Sequence, residues 1–321
     1  MSVWLLTDEE MDHHALAGHV ERPDRRLAVA EGVRDGAATM GAELVEPRVE
    51  EVADAELEGV HDPDYVTLLA AAEGDGGAWL DPDTYVVPGS LRAARLAAGA
   101  TVQAARAVAS GRAEVAFAVA RPPGHHAATG RGSGFCLLNN VAAAVAALRR
   151  DGLARRIAII DWDVHHGDGT QAMFDADPDV CYASTHQSPL YPGTGSAAER
   201  GTGAGLGTMH NHPLAPGAGD AEFVAAWQAE LLPAIESFAP EALLVSAGYD
   251  AHRDDPLSHL AVSDAAFGAV SRAVGELSVR LGLPGVALTL EGGYDLVALR
   301  GAAAATVRGL LEGRGHAPGQ A

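Results

Sequence analysis

The chain has no lysine. All 22 basic residues are arginine, against 43 Asp and Glu, and the net charge is −21. So little positive charge argues against a nucleic-acid partner, because phosphates would be repelled. The acid excess is compatible with cationic substrates, but the abundance of Ala, Gly and Arg makes it read first as compositional bias. Only two cysteines occur, Cys136 and Cys181. Neither belongs to a CxxC, so a thiolate zinc or redox motif is missing and a reducing cytoplasm is the expected location. There is no run of about 18 apolar residues, so no membrane-spanning helix is expected. The start, MSVWLLTDEE, lacks a basic stretch and turns acidic at once, so no secretory signal is expected.

Against these absences stands a hydrophobic content of 48% over 321 residues, enough for one large α/β domain. Apolar runs read as strands at 3–6, 42–46, 115–119, 157–160, 180–184, near 209, 242–246 and 286–290. Helical stretches lie between them: about 24–38, from 63, 91–110 with Ser90 as N-cap, 140–149, 220–236 and 264–281. Alternation of this kind predicts a parallel sheet with helices on both faces. The domain is expected to span 1–313, with 314–321 a disordered tail. Residues 79–85 read as a loop. The glycine-rich stretch from Gln187 to Gly207 is longer than most loops without a role.

The central stretch is Ile159-Ile160-Asp161-Trp162-Asp163-Val164-His165-His166-Gly167-Asp168. A buried strand ends there in carboxylates and imidazoles. On an extended chain Asp161, Asp163 and His165 share one face. A polar strand-to-helix turn with capping aspartates is the plain alternative. Three further apolar strands also end in polar motifs: Arg121-Pro122-Pro123-Gly124-His125-His126, Gly248-Tyr249-Asp250 and Glu291-Gly292-Gly293-Tyr294. Ligands of open α/β sheets bind at the carboxyl ends of the strands, so four strands deliver their chemistry to one edge. Asp163, His165 and Asp250 give two oxygens and one nitrogen, an open catalytic set for zinc, with iron(II) or cobalt(II) also suited. His125 and His126 can move protons near such an ion, with Asp161 and Asp168 each orienting one imidazole. Tyr294 can donate to an oxyanion. A lone Gly-Gly-Tyr would otherwise be a turn.

Together the motifs RPPGHH, GFCLLNN, DWDVHHGDGTQ, PGTG, SAGYDAH and EGGY resemble the zinc-dependent histone deacetylase and acetylpolyamine amidohydrolase family, over about residues 10–312. The resemblance implies the arginase/deacetylase fold, with a parallel sheet of about eight strands. It implies hydrolysis of N-acyl amines, peptide or small molecule, at one zinc held by Asp163, His165 and Asp250. His126 with Asp168 would be the general base and acid, His125 with Asp161 its electrostatic partner, and Tyr294 the oxyanion donor. The acyl-lysine tunnel would be lined by Gly134, Phe135 and Tyr191, with Asp83, Leu257 and Gly293 as further substrate contacts. Arg25, on a helix where an arginine is usually solvated, would face an internal acetate channel. Potassium would bind near Asp161, Asp163, His165 and Ser184, and again near Phe174, Asp177 and Val180.

Trp162 is typical of the branch nearer the second class of deacetylases, and Tyr191 stands where phenylalanine is usual. Leu257 replaces the glutamate by which some members hold a distant ammonium, which weakens the alternative of a strict acetylpolyamine deacetylase. A binuclear manganese hydrolase would need carboxylates where Gly167 and His252 stand. A catalytically silent acetyl-lysine binder would be expected to lack one of the functional residues, and all are present.

Overall fold

The computed structural model describes residues 1–319. Ten strands form: β1 Ser2–Leu6, β2 Glu43–Val45, β3 Ala78–Trp79, β4 Tyr85–Val86, β5 Val115–Ala118, β6 Ile157–Asp161, β7 Val180–Gln187, β8 Met209–Leu214, β9 Ala242–Ala247 and β10 Val286–Leu290. The helices are α1 Asp24–Thr39, α2 Asp54–Leu57, α3 Pro63–Gly74, α4 Ser90–Ala109, α5 Asn140–Arg150, α6 Asp168–Phe174, α7 Asp220–Ala225, α8 Leu232–Phe238, α9 Asp264–Arg280 and α10 Leu296–Gly313. A π-helical turn, Ala226–Leu231, joins α7 to α8, so the single helix expected from 220 carries a bulge.

Eight strands make one sheet in the order β2-β1-β5-β10-β9-β6-β7-β8, every pair parallel. Its middle strands read as uninterrupted apolar runs because helices cover both faces. The two-residue period shows in β6: Ala158 and Ile160 pack into the core with Trp162, Val245 and Phe267, while Ile157 and Ile159 enter the opposite core with Val141 and Leu148. The four expected polar motifs follow β5, β6, β9 and β10, which are neighbours in the sheet.

Several local expectations change. Ser90 is the first residue of α4, after Gly89; its hydroxyl accepts from Val87 N and pairs with His14 Nδ1, both at 2.8 Å. The loop 79–85 is flanked by a two-stranded hairpin, β3 with β4. Helix α10 was not expected at all: glycines at 301, 309 and 313 lower its propensity. Those small residues instead permit close packing on α9, and Gly32 and Gly36 of α1 let that helix approach α10 from its other side. The tail is not loose as far as described. Arg314 donates to Leu283 O and Pro284 O, His316 Nε2 meets Glu114 at 2.6 Å, and Gly319 N reaches Thr39 O at 3.1 Å. Residues 320 and 321 lie outside the described residues.

A Cβ on Gly309 of α10 would stand 2.2 Å from the Gly268 carbonyl oxygen of α9. Gly309→Ala should therefore destabilise the protein. The helix gains about 1 kcal/mol of propensity, but pushing two backbones apart costs about 1–3 kcal/mol or more. A lower urea midpoint is expected; an unchanged or higher midpoint would show that α9 and α10 are not in backbone contact.

Candidate active site

The site is built from strand ends whose backbone N–H groups grip carboxylates. Asp163 and Asp250 are fully buried. Asp163 Oδ2 accepts from Gly292 N at 2.7 Å and Oδ1 from His165 N at 2.8 Å. Asp250 Oδ1 accepts from Val164 N at 2.8 Å, leaving Oδ2 turned toward His165. His165 Nδ1 lies 3.1 Å from both Asp163 Oδ1 and Asp250 Oδ2. A Cβ at Gly292 or Gly248 would lie 2.0 Å from one of these carboxylates, so both positions need glycine.

One ligand atom from each of Asp163, His165 and Asp250 lies within 4.8 Å of the others. Ligands about 2.0–2.1 Å from a tetrahedral zinc sit about 3.3 Å apart, close to the 3.1 Å from His165 Nδ1 to each carboxylate oxygen. The donor set fits too. One imidazole nitrogen faces two buried carboxylate oxygens and can give a proton to only one of them. Burial opposes charge on His165, yet its hydrogen bonds to the two aspartates lift its pKa to about 10. Burial and the Asp163 charge push Asp250 upward. Two buried carboxylates share one imidazole nitrogen here, and a divalent ion between the three atoms would match their charge.

The paired histidines sit beside this triad, with ring centroids 4.0 Å apart. His125 Nδ1 meets Asp161 Oδ2 at 3.0 Å; His126 Nδ1 meets Asp168 Oδ1 at 2.8 Å. Burial disfavours charge on both. For His125, Asp161 and then Asp163 outweigh it and raise the pKa well above the usual value. For His126, burial and the neighbouring His125 prevail over Asp168 and lower the pKa to about 3. The two neighbouring imidazoles are thus pushed in opposite directions. Burial also raises the Tyr294 hydroxyl well above its usual range, against the pull of Arg25, so it remains a donor.

These groups line one cavity of about 280 Å³, whose wall also includes Phe135, Tyr191, Leu190 and Pro123. Gly134 and Phe135 both adopt positive φ, +54° and +69°. That conformation is rare for phenylalanine. It is held by Phe135 N donating to Thr84 Oγ1 at 3.0 Å. A Cβ on Gly134 would strike His126 at 2.4 Å. Exposed Asp83 and half-buried Leu257 belong to the same lining.

Other expected residues stand behind the cavity. Gly293 is not on its wall: its φ is +113°, and a Cβ would meet Leu299 and Tyr249. Gly292 lines the cavity instead. Arg25 is fully buried, not solvated. It donates to Gly293 O, Glu291 O and Glu21 Oε1, with its guanidinium 4.8 Å from the Tyr294 ring centroid. Asp161 and Ser184 are register partners on β6 and β7. Asp177 is engaged by Arg149 at 2.6 and 3.1 Å, and the Phe174 and Asp177 carbonyls accept from Asp177 N and Val180 N.

Three supporting groups escaped the sequence reading. Tyr182 Oη donates to Asp161 Oδ2 at 2.9 Å. Buried Asp255 accepts from Tyr294 N at 2.7 Å and Leu257 N at 3.0 Å. Glu291 accepts from Gly124 N, His125 N and Ser246 Oγ. The carboxylate beside Gly-Gly-Tyr was the one available signal, since a charged residue directly after a buried strand needs a partner.

A profile of the histone deacetylase domain matches residues 19–310. The chain belongs to the histone deacetylase family. It is 36% identical over 284 residues to the histone deacetylase-like amidohydrolase of Pseudomonas aeruginosa, covering 88% of this chain and 74% of that one. The crystal structure of the HDA15 HD domain aligns with a TM-score of 0.90 and 36% identity, over 97% of this chain and 88% of that one. An acetylpolyamine aminohydrolase from Burkholderia pseudomallei aligns with a TM-score of 0.86 and 31% identity, over 96% and 98%. Histone deacetylase family members are amidohydrolases acting on linear amides, typically with zinc, and the triad described above is where this member can hold it.

Asp250→Asn keeps an acceptor for Val164 N but removes the charge. It should weaken divalent-ion binding by more than about tenfold, a loss that even outer hydrogen-bond partners cause. Elemental analysis of wild type should find one transition ion per chain. Two ions per chain, or unweakened binding by the variant, would contradict this site.

Proposed function

We propose that this protein removes acyl groups, acetyl foremost, from acyl-lysine or related N-acyl amines. The observation that carries the reading is the meeting of Asp163 and His165 with His126 and Tyr294 on the wall of one cavity, the third member of the metal triad, Asp250, lying buried with its ligand atom within 4.8 Å of theirs. A zinc ion held by Asp163, His165 and Asp250 supplies Lewis-acid polarisation of the amide carbonyl and makes the attacking water more acidic.

The remaining work belongs to side chains. Asp168 holds the Nδ1–H of His126 and so leaves Nε2 as the basic atom. His126 takes the proton of the attacking water and passes it to the leaving amine. His125, kept positive by Asp161, stabilises negative charge as it develops. Tyr294 donates its hydroxyl hydrogen to the carbonyl oxygen as that becomes an oxyanion. Phe135 and Tyr191 clasp the apolar stem of the amine and keep water away. Asp83 at the mouth accepts from the substrate backbone. The acetate product leaves by the side of Arg25.

Potassium beside the zinc is part of this proposal, with Asp161 and Ser184 as the side-chain oxygens and main-chain carbonyls completing each site. A cytoplasmic location fits two buried, unpaired cysteines; no helix among the described residues is long and apolar enough to cross a membrane. Acetylpolyamines are the second reading, favoured by the likeness to the Burkholderia structure.

His126→Ala should lower kcat far more than it changes KM. Tyr294→Phe should lower the rate about 10²–10³-fold. Normal turnover by Tyr294→Phe on an acetyl-lysine peptide would remove the tyrosine from the mechanism.

Selectivity should sit at the mouth, since the triad meets only an amide. Leu257 offers a distant ammonium no partner. A carboxylate there would contribute about 1 kcal/mol in a solvated setting. Leu257→Glu should thus raise kcat/KM for acetylpolyamines relative to acetyl-lysine peptides roughly five- to tenfold at low salt, and less at high salt. An unchanged ratio at low salt would place selectivity elsewhere.

A further inference from the structure

Glu291 is fully buried, and the mechanism above gives it no task. It follows β10 directly, and β10 lies between β5 and β9 in the sheet. Its carboxylate joins the exits of all three strands. Oε2 accepts from Gly124 N at 2.7 Å and from His125 N at 3.1 Å, in the segment after β5. Oε1 accepts from Ser246 Oγ at 2.9 Å, on β9. Its own N–H donates to Ala247 O, and its carbonyl accepts from Arg25.

Gly124 and His125 lie in an irregular turn with no ladder to absorb their N–H groups. Among the described residues, Glu291 is the acceptor for both. A buried N–H without a partner is costly, so the turn takes the position at which the carboxylate can receive both. Gly124 cannot shift toward α5 to compensate with a side chain, because a Cβ would meet Asn140 N at 2.5 Å. The His125 main chain is thus fixed by Glu291 while its ring is fixed by Asp161 at 3.0 Å. His126 is the next residue.

We propose that Glu291 is a positioning residue that sets the His125–His126 pair through the main chain. It acts through hydrogen-bond acceptance at a fixed reach, not through its charge and not by touching substrate. This rests on the proton-transfer reading given to the histidines, but its structural content can be read without turnover.

Two variants separate the roles. Glu291→Gln keeps the length: its amide oxygen accepts from both N–H groups, and its NH₂ donates to Ser246 Oγ, whose hydroxyl reverses direction. Glu291→Asp keeps the charge but is one methylene short, so it cannot span Gly124 and Ser246 together. Each is assayed, zinc-loaded, on an acetyl-lysine peptide, alongside metal content, thermal midpoint and the His125 Nδ1–H resonance in ¹H–¹⁵N spectra. The expected result is Glu291→Gln within about threefold of wild-type kcat with the resonance in place. Glu291→Asp should fall roughly tenfold or more in kcat, with KM nearly unchanged, one ion per chain retained and the resonance shifted or lost. The reverse order, with Asp active and Gln inactive, would overturn the proposal in favour of a charge role. A lowered thermal midpoint with unaltered kcat and resonance in both variants would overturn it in favour of plain stability. If wild type showed no turnover on any N-acyl amine, the functional reading would fail, while the resonance shift would still decide whether Glu291 sets His125.

Discussion

Everything at the active edge follows from burying acid. Asp161, Asp163, Asp250 and Glu291 all have essentially no solvent exposure, and they lie at the ends of adjacent parallel strands. A buried carboxylate is tolerable only if hydrogen-bonded and matched by positive charge. The sheet supplies the first need with the backbone N–H groups freed where strands end. The second is met in part by His125, which Asp161 and then Asp163 make more basic. What remains unmatched is concentrated between Asp163 and Asp250, and that is where a divalent cation fits. Metal affinity here is a consequence of how the fold disposes of its charge.

The same constraint separates the two adjacent histidines. Each faces one aspartate at about the same distance, but His125 also lies 3.8 Å from Asp163. Burial, and then the neighbouring His125, push the pKa of His126 down, so two consecutive residues on one turn are shifted in opposite directions. Arg25, Asp255 and Glu291 hold the backbone around Tyr294 and His125 from behind, so that side chains reaching the cavity are set by main-chain hydrogen bonds.

Much of this was legible because parallel strands write plainly. Ile157 to Asp161 is an apolar run that ends in charge, and the strand period alone places Asp161, Asp163 and His165 together. The sheet-edge rule then adds Asp250 and Tyr294. What stayed hidden depends on long-range contacts. Gly293 was expected on the cavity wall, but the turn directs its place toward Leu299 and leaves Gly292 there. Arg25 was placed inside by the family resemblance alone, because nothing local shows that the segment after β10 brings two carbonyl acceptors to it. Helix α10 was obscured by its glycines, whose reason is close contact with α9 and not local propensity. The contacts at the start of the tail were hidden for the same reason: Arg314 and His316 find partners near residues 114 and 284, far off in sequence.

If one divalent ion seated among Asp163, His165 and Asp250 enables hydrolysis of an N-acyl amine, removal and return of that ion must control turnover. The most direct measurement strips the protein with a chelator, returns zinc in substoichiometric steps and follows acetate release from an acetyl-lysine peptide. The account predicts negligible release from the stripped protein, then a linear rise that breaks at one equivalent per chain. Full turnover without metal, or a rise that continues to two equivalents, would contradict it.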